Sequence, residues 1–309
     1  MLGDREDLAM AASCRPARLE DLQRADALVA HSINDLTERH GFGPMASPRP
    51  PRFQQFCLEH DPDGLWVAEE EGQIIGFAFS WVCDDLWFLA QLFVSPDRQG
   101  SGLGNELLKR TLHQAEKRRS TNRALITFAF NRMSQGLYIR HGLFPRLPLY
   151  LFSASREALR GRLGGEKFHC ELLEKSAARL RNLNEIDAQA LGTTREKHHR
   201  FLIDEDGTRG VAFHEGDNCL GYAYISSSGH IGPLAVVQPE AMATAFKTAL
   251  NIAADARGSN VSAFLPGTSE SALTLAMEYG MRITFPMVVM SARPFGDWGL
   301  YLPRNPGFM

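Results

Sequence analysis

The stretch that decides the fold of this chain reads Leu92-Phe93-Val94-Ser95-Pro96-Asp97-Arg98-Gln99-Gly100-Ser101-Gly102-Leu103-Gly104. It begins as an apolar strand, turns at a proline, crosses a glycine-rich loop and enters a helix. The helix is predicted from an apolar stripe formed by Leu103, Leu107, Leu108, Leu112 and Ala115. The loop therefore leads into a helix N-terminus, where backbone N–H groups lie at the positive end of the helix dipole. Such a place favours an anion such as phosphate or pyrophosphate, and glycines let the main chain approach it closely.

The spacing of these glycines excludes two other phosphate loops. No Gly-Lys-Ser/Thr end follows, as in the P-loop, and three glycines do not follow the first strand of a βαβ unit, as in the dinucleotide fingerprint. The pattern is Gln99-x-x-Gly102-x-Gly104, preceded by Val94-Ser95-Pro96. It resembles the acetyl-CoA loop of the GNAT superfamily of N-acetyltransferases, Gln/Arg-x-x-Gly-x-Gly/Ala. Taken alone, the loop also fits an ordinary tight turn between a strand and a helix.

Length and composition indicate a globular protein with two domains. The chain has 309 residues, too many for a typical single domain of this superfamily, and 44% of them are hydrophobic and 22% charged. The net charge of −3 argues against a nucleic-acid partner, because nucleic-acid binding usually needs a basic surface. It is weakly compatible with a cationic amine substrate.

The cysteines and the apolar runs bear on the expected compartment. The five cysteines are scattered and form no CxxC pair, which excludes a disulfide framework or a zinc knuckle as a sequence-based prediction. A reduced, cytoplasmic setting is the expectation. No apolar run is long enough to cross a membrane, so no membrane partner is expected. Residues 1–13 lack the basic start and apolar core of a signal peptide and are predicted to be a flexible tail.

The first half of the chain, residues 14–154, predicts one domain. Its order is strand, helix, three strands, helix, strand, helix, strand, which is an α+β layout with a mixed sheet and matches the GNAT fold. Residues 40–55, rich in glycine and proline, are predicted to be a loop. In the family this region covers the acceptor site, and a plain connector is an equally good interpretation. The polar, glycine-bearing residues 155–167 are predicted to be a linker.

The second half, residues 168–309, repeats the same pattern. Val94-Ser95-Pro96-Asp97 aligns with Val237-Gln238-Pro239-Glu240, but the second copy then enters its helix without a glycine loop. Alignment of Gly142 with Gly280 places Ala276 opposite Tyr138. We therefore expect two tandem acyl-CoA N-acyltransferase folds, α+β in class (three-layer α/β), each a mixed, mostly antiparallel sheet flanked by helices. The resemblance covers residues 15–152 well and residues 168–292 loosely, so the second domain is expected to be degenerate. Its aromatic stretch 295–303 is expected to pack into a cleft or to seal an apolar edge.

The resemblance implies a set of residues that hold acetyl-CoA. The loop from Gln99 to Gly104 would hold the pyrophosphate, with Gln99 and Ser101 acting mainly through their N–H groups. The strand edge at Leu92, Phe93 and Val94 would pair with the pantetheine amides, and the Val94 N–H would point at the thioester oxygen. The complete cofactor-binding prediction comprises Leu92, Phe93, Val94, Gln99, Gly100, Ser101, Gly102, Leu103, Gly104 and Asn131.

A second signature lies after the next strand. The family pattern of asparagine, tyrosine seven residues later and glycine four residues after that is met by Asn131, Tyr138 and Gly142. Seven residues make two helical turns, so Asn131 and Tyr138 lie on one helix face. The resemblance makes Tyr138 the catalytic general acid that protonates the CoA thiolate, and Asn131 a cofactor contact. A tyrosine packed at a helix–sheet junction is the structural alternative.

No residue is identified as the general base. Many relatives place a glutamate near the position of Gln91, and glutamine cannot take a proton. Asp84 or Asp85 would act through water, although a solvated turn is the favoured interpretation. His40, His141 and Glu59 are weaker candidates. His198 and His199 are expected to form a solvated pair.

The sequence thus predicts an acetyl-CoA-dependent N-acetyltransferase that transfers acetyl to a primary amine by direct attack in a ternary complex. Acetyl-CoA is the co-substrate and no metal is expected. The alternative is a non-catalytic acyl-CoA sensor, and a weaker one is a structural partner with a vestigial site. A small amine, an amino acid, an aminoglycoside and a protein amine all stay open as acceptors, and the chain is a monomer or a homodimer.

Overall fold

The computed structural model describes residues 12–165 and 167–309. The predicted tail up to residue 11, and Glu166 in the predicted linker, lie outside this range. Contacts divide the chain into two compact units. The first unit comprises the residues up to Val82 and residues 87–120, and the second comprises residues 83–86 and 121–309. The domain limits at 154 and 168 stay a prediction.

The first unit contains a four-stranded sheet in the order β1-β2-β3-β4. Its elements are β1 (Ser13–Pro16), α1 (Leu22–Arg39), α2 (Arg52–His60), β2 (Leu65–Glu70), β3 (Gln73–Cys83), β4 (Leu86–Val94) and α3 (Leu103–Lys117). Strands β1, β2 and β3 pair antiparallel, with Ser13 opposite Glu69 and Leu65 opposite Phe79. Short 3-10 turns precede α1, β2 and the glycine loop.

The two faces of the first sheet carry different helices. Leu103 and Leu107 of α3 pack on Ala68, Ile75 and Ala78. Phe79 alternates with Ala78 and therefore faces the other side, where Phe53 of α2 meets it edge to face at 5.9 Å between ring centroids. Helix α2 corrects the prediction of a loop over residues 40–55, because Arg52 already begins a helix after the prolines.

The second unit contains a sheet in the order β5-β12-β6-β11-β10-β9-β8-β7, with β13 paired to β10. Its elements are β5 (Asn122–Phe128), α4 (Arg132–Arg140), β6 (Phe144–Ser155), α5 (Arg156–Arg160), β7 (His169–Leu172), α6 (Ala177–Leu191), α7 (Glu196–Asp204), β8 (Thr208–Glu215), β9 (Asn218–Ser226), β10 (His230–Val236), α8 (Ala241–Ala254), β11 (Asn260–Pro266), α9 (Glu270–Glu278), β12 (Arg282–Ser291) and β13 (Tyr301–Leu302). Helix α5 lies within the segment predicted as a linker.

Strands β6 and β12 are exchanged between the two repeats. Strand β12 pairs antiparallel with β5, where Met287 lies opposite Phe128. Strand β6 pairs antiparallel with β11, where Leu149 lies opposite Pro266. The two exchanged strands also pair with each other. Each repeat therefore completes its sheet with a strand of the other, β12 in one case and β6 in the other, a pairing that no local pattern in the sequence predicts.

The prediction that His198 and His199 form a solvated pair is wrong, because both side chains are buried. His199 lies 3.0 Å from Asp187 through Nε2 and 3.0 Å from the Tyr224 hydroxyl through Nδ1. Arg195 donates to both oxygens of Asp187, at 2.9 and 3.2 Å. Burial and the neighbouring Arg195 hold the pKa of His198 well below its usual range. Both histidines share the buried face of α7 with Leu202.

Within the described residues, no helix is long and apolar enough to cross a membrane.

Candidate functional site

The glycine loop connects the end of β4 to the start of α3 in the first unit. After Val94 the chain makes a 3-10 turn at Pro96–Arg98 and then extends at Gln99. Gly102 takes the left-handed conformation, with φ of +88°, and α3 begins at Leu103. The carbonyl of Gly102 accepts from the N–H groups of Asn105 and Glu106, which closes the first turn of the helix. The strand, loop and helix predicted around residues 92–104 are therefore present.

The main chain of the loop keeps its donors free. Within residues 12–165 and 167–309, no protein acceptor is recorded for the N–H groups of Gly100, Ser101, Gly102, Leu103 and Gly104. Gly100 has φ of +84° and Gly102 has φ of +88°, and a Cβ at either would meet nothing within 4 Å. Glycine is required there by the backbone angle rather than by crowding. Successive free N–H groups at a helix N-terminus fit the charge and size of a pyrophosphate.

Side chains brace the loop from inside. The Gln99 side chain donates to the Val94 carbonyl at 3.2 Å, and Ser32 of α1 donates to the same oxygen at 3.3 Å. Ser101 donates through its hydroxyl to the Arg98 carbonyl at 2.8 Å. These bonds use the side chains of Gln99 and Ser101 within the protein. That the N–H groups of these two residues hold a ligand stays a prediction.

Arg98 is the cation nearest along the chain, and it is already paired. It donates to Glu70 at 2.6 Å, and this carboxylate raises the pKa of the Arg98 guanidinium. Asp97 accepts from the Ser95 hydroxyl, which lowers the pKa of Asp97. The free donors of the loop are therefore backbone groups rather than Arg98.

The strand before the loop supplies the other predicted cofactor residues. The side chains of Leu92 and Val94 pack against the apolar cluster under α3, and Phe93, between them, is half-buried. This packing fixes the end of β4 against the helix that follows it. The pairing of this strand edge with pantetheine stays a prediction.

The second signature lies in the second unit, at helix α4. Asn131 is the N-cap residue, and its Oδ1 accepts from the Ser134 N–H at 3.1 Å. Tyr138 is 5% exposed, and burial raises its pKa, so the phenol stays protonated at neutral pH. In the part of the chain that the structure describes, no hydrogen bond from the Tyr138 hydroxyl to another residue is recorded. Asn131 therefore stabilises the start of α4 whether or not it contacts a cofactor. The Tyr138 hydroxyl has no comparable structural role among the described residues.

Two of the candidates for a general base are anchors of a turn. Asp84, at the turn between β3 and β4, accepts from the Thr194 N–H at 2.6 Å and from the Thr193 and Thr194 hydroxyls. Asp85 accepts from the hydroxyl of Thr121. All these residues belong to the second unit. Both carboxylates thus accept hydrogen bonds that hold this turn, which favours the turn interpretation of Asp84 and Asp85.

The remaining candidates are no stronger. His40 lies at the C-terminal end of α1, with Nδ1 2.9 Å from the Leu36 carbonyl. His141 is the half-buried C-cap residue of α4, and Glu59 is exposed near the end of α2. Gln91 of β4 is half-buried, and its Oε1 is buried without a hydrogen-bond partner among the described residues. The sequence did not predict this unpaired oxygen.

In the second repeat, strands β10 and β11 separate after their first residues, and the later strand β13 pairs with β10 there. Strand β10 pairs with β11 only at its start, where His230 lies opposite Ser262. Further along, β10 pairs antiparallel with β13, which also contacts β11. The Val236 N–H donates to the Leu300 carbonyl at 3.0 Å. The stretch 295–303 therefore seals the edge of β10 inside its own unit, and its aromatic residues were the only sequence signal of this contact.

Comparisons with known proteins agree with this architecture. The model of the acetyltransferase (GNAT) family matches residues 29–143. An uncharacterized N-acetyltransferase of Archaeoglobus fulgidus is 34% identical over 76 residues, which make up 21% of this chain and 50% of that protein. The chain thus spans about half the length of this relative.

Two solved structures share the fold over nearly the whole chain. One from Pyrococcus horikoshii has a TM-score of 0.77 and 16% identity, covering 99% of each chain. A tandem GNAT protein from the clavulanic acid biosynthesis pathway has a TM-score of 0.59 and 14% identity, covering 92% of this chain and 99% of its own. The acetyltransferase (GNAT) family model thus matches residues 29–143, and the chain as a whole shares its fold with these two structures.

Proposed function

We propose that this protein is an acetyl-CoA-dependent N-acetyltransferase, and that its first repeat alone binds the co-substrate. The observation that carries the proposal is the run of free backbone N–H groups from Gly100 to Gly104 at the start of α3. Their number and position suit the two phosphates of a pyrophosphate. The acceptor would be a primary amine on a small molecule or a protein.

The proposed reaction is direct transfer in a ternary complex. The amine nitrogen attacks the thioester carbonyl, a C–N bond forms, the C–S bond breaks, the nitrogen loses a proton to water, and the thiolate gains one. The chain contributes positioning through the loop and the end of β4, and a proton through Tyr138. Tyr138 recovers its proton from solvent. Because burial raises its pKa, the phenol is protonated over the whole working range of pH.

The second repeat is proposed to have no co-substrate site. Its helix α8 begins directly after residues 237–240, without a glycine loop. The edge of β10 that corresponds to the end of β4 is paired with β13. The chain would therefore bind one acetyl-CoA.

Calorimetric titration of the protein with acetyl-CoA tests the proposal. We expect one site per chain, lost in Gly102→Glu, because this change strains the backbone and brings a negative charge to the loop. Gly216→Glu is the matched control: Gly216 also has a positive φ and open surroundings, but lies at the turn between β8 and β9. This control is expected to bind as the wild type does.

The other outcomes are decisive as well. Two sites per chain would show that the second repeat binds the co-substrate. No binding of acetyl-CoA, CoA or longer acyl-CoAs would overturn the proposal. Binding of acetyl-CoA without release of CoA thiol across a panel of amines would favour the acyl-CoA sensor.

A further inference from the structure

The helix that follows the central strands covers the edge of the sheet differently in the two units. In the first unit, Cys14 of β1 and Trp66 of β2 pack against the cluster that contains Leu103 and Leu107 of α3. In the second unit, α8 packs on β9 and β10. A groove of about 530 Å³ lies beside it, lined by residues of α5, α8, β7 and β8 and of the segment between α5 and β7. This volume is in the range of small-molecule sites.

Contacts between these elements hold the walls of the groove in place. The hydroxyl of Thr248 in α8 is buried and accepts from the Phe168 N–H at 3.1 Å, which ties the segment before β7 to the helix. Arg160 of α5 donates through Nε to the Ala254 carbonyl at 3.0 Å, at the end of α8. The ring of Phe168 lies 6.0 Å from the ring of Phe213 in β8, measured between centroids. The groove is therefore a fixed part of the folded second unit.

The lining of the groove carries a net positive charge. Its charged side chains are three cations and one carboxylate, those of Arg160, Lys167, Arg209 and Asp255. Arg160 lies 3.5 Å from Asp255, so these two charges offset each other. Among the residues that the structure describes, no carboxylate is recorded as a partner of Lys167 or Arg209. Two positive charges in the groove are therefore left without a counter-charge from the described chain.

The groove also has an apolar wall, formed by Leu163, Phe168 and Ile252. A ligand that fits both parts has an anionic group and an apolar body, and the half-buried ring of Phe168 favours a flat aromatic body. A phosphate monoester carries about 1.5–2 negative charges at neutral pH and three acceptor oxygens. These match the ammonium of Lys167 and the guanidinium fork of Arg209. A carboxylate has one charge and would leave one of the two cations unbalanced.

We propose that this groove binds a small phosphate ester with an aromatic ring, whose phosphate is held by Lys167 and Arg209 and whose ring lies against Phe168. The site binds its ligand without forming or breaking a covalent bond. The proposal is independent of the acetyl transfer, because every lining residue belongs to the second unit and none to the glycine loop.

Calorimetric titration of the full chain with phenyl phosphate at low salt tests the proposal. We expect one site per chain and weaker binding of phenol and of inorganic phosphate, each of which offers only one half of the ligand. Arg209→Gln and Lys167→Gln are each expected to weaken binding at least about tenfold, the effect of losing one hydrogen bond to a charged group. Arg181→Gln changes an exposed arginine of α6 outside the groove, and this matched control is expected to bind as the wild type does.

Labelling of a cysteine in the lining locates the ligand without any variant. Cys170 of β7 is half-buried in the groove, where burial raises the pKa of its thiol and the charge of Arg209 partly opposes this rise. Maleimide labelling of Cys170, read by peptide mass spectrometry, is expected to slow in the presence of phenyl phosphate. Labelling of Cys219, which is half-buried in β9 and outside the lining, is the control and is expected to keep its rate.

The contrary outcomes are equally defined. No binding of phenyl phosphate, or binding that Arg209→Gln and Lys167→Gln leave unchanged, would overturn the proposal. Binding that is lost in Gly102→Glu but kept in Arg209→Gln would assign the phosphate to the glycine loop and overturn it as well. A chain that binds phenyl phosphate in the groove but no acetyl-CoA would refute the proposed function alone.

Discussion

Two junctions between a strand and a helix, one in each repeat, differ in what occupies them. After β4 the chain runs through residues 95–102 before α3 begins, and the loop N–H groups from Gly100 to Gly104 have no acceptor among the described residues. After β10 it runs through residues 237–240 into α8, and the edge of β10 is paired with β13. At the first junction the loop donors thus have no acceptor among the described residues, whereas at the second junction the strand edge is paired within the chain.

A second comparison concerns the C-terminal ends of helices α4 and α9, which have the same backbone hydrogen bonds but a different buried side chain. Helix α4 ends with the Leu143 N–H donating to the Tyr138 carbonyl at 3.0 Å. Helix α9 ends with the Met281 N–H donating to the Ala276 carbonyl at 2.9 Å. The backbone bonds are the same, but a buried phenol in one repeat is a buried methyl group in the other. The two repeats therefore share the backbone geometry of this helix end and differ in the side chain that it carries.

The largest expected effect comes from removing the phenol that distinguishes the two helix ends. In Tyr138→Phe we expect kcat to fall by roughly 10²–10⁴, the usual contribution of a general acid. The affinity for acetyl-CoA should stay the same, since the ring is retained. Steady-state kinetics and calorimetry measure the two quantities. Tyr279→Phe, next to the end of α9, is the matched control. An unchanged kcat in Tyr138→Phe would mean that Tyr138 only packs.

The next effect concerns the buried charges that support the second junction. Arg195 donates to Asp187, to the Met309 carbonyl at 3.1 Å, and lies over the ring of Tyr301 in β13. Asp187→Asn leaves this buried guanidinium without its counter-charge. We expect a loss of about 3–5 kcal/mol in the free energy of unfolding, measured by urea denaturation.

The size of that loss depends on pH in a defined direction. Burial alone would raise the pKa of Asp187, but Arg195 and His199 hold it well below its usual range. The stabilisation is therefore complete above the unfolded pKa of about 4 and is lost as the pH falls through the folded pKa. The difference between wild type and Asp187→Asn should shrink below about pH 4. The exposed pair of Arg200 and Glu196 is the control, with Glu196→Gln costing at most about 1 kcal/mol.

The smallest expected effect comes from Gly232 of β10, where this strand lies against the segment that follows β13. Gly232 has φ of +140°, and a Cβ there would lie 2.6 Å from the Pro303 carbonyl oxygen. Gly232→Ala should cost about 1–3 kcal/mol in unfolding free energy by thermal or urea denaturation. Acetyl-CoA stoichiometry should stay at one, because α8 still lacks the glycine loop. A second site appearing in this variant would mean that β13 alone excludes the ligand.

The glycine loop and most of the elements were predictable from the sequence because they depend on local rules. The positive φ angles at Gly100 and Gly102 are available to glycine at little cost, and the stripe from Leu103 to Ala115 has helical spacing. The same rules predicted most strands of both repeats, though not β7 or β13, and the missing loop after β10. Helix α2 escaped prediction because the prolines before Arg52 indicate a loop, while its apolar contact with Phe79 appears only in the fold.

Only the tertiary structure decided which strands pair and which polar groups are left over. The exchange of β6 and β12, and the placement of β13 beside β10, depend on contacts between residues far apart in the chain. The burial of His199 against Asp187 and the unpaired oxygen of Gln91 arise in the same way. A sequence pattern fixes backbone angles and the spacing of apolar residues, because these are local. Whether a buried donor or acceptor finds a partner is settled only when distant segments pack together.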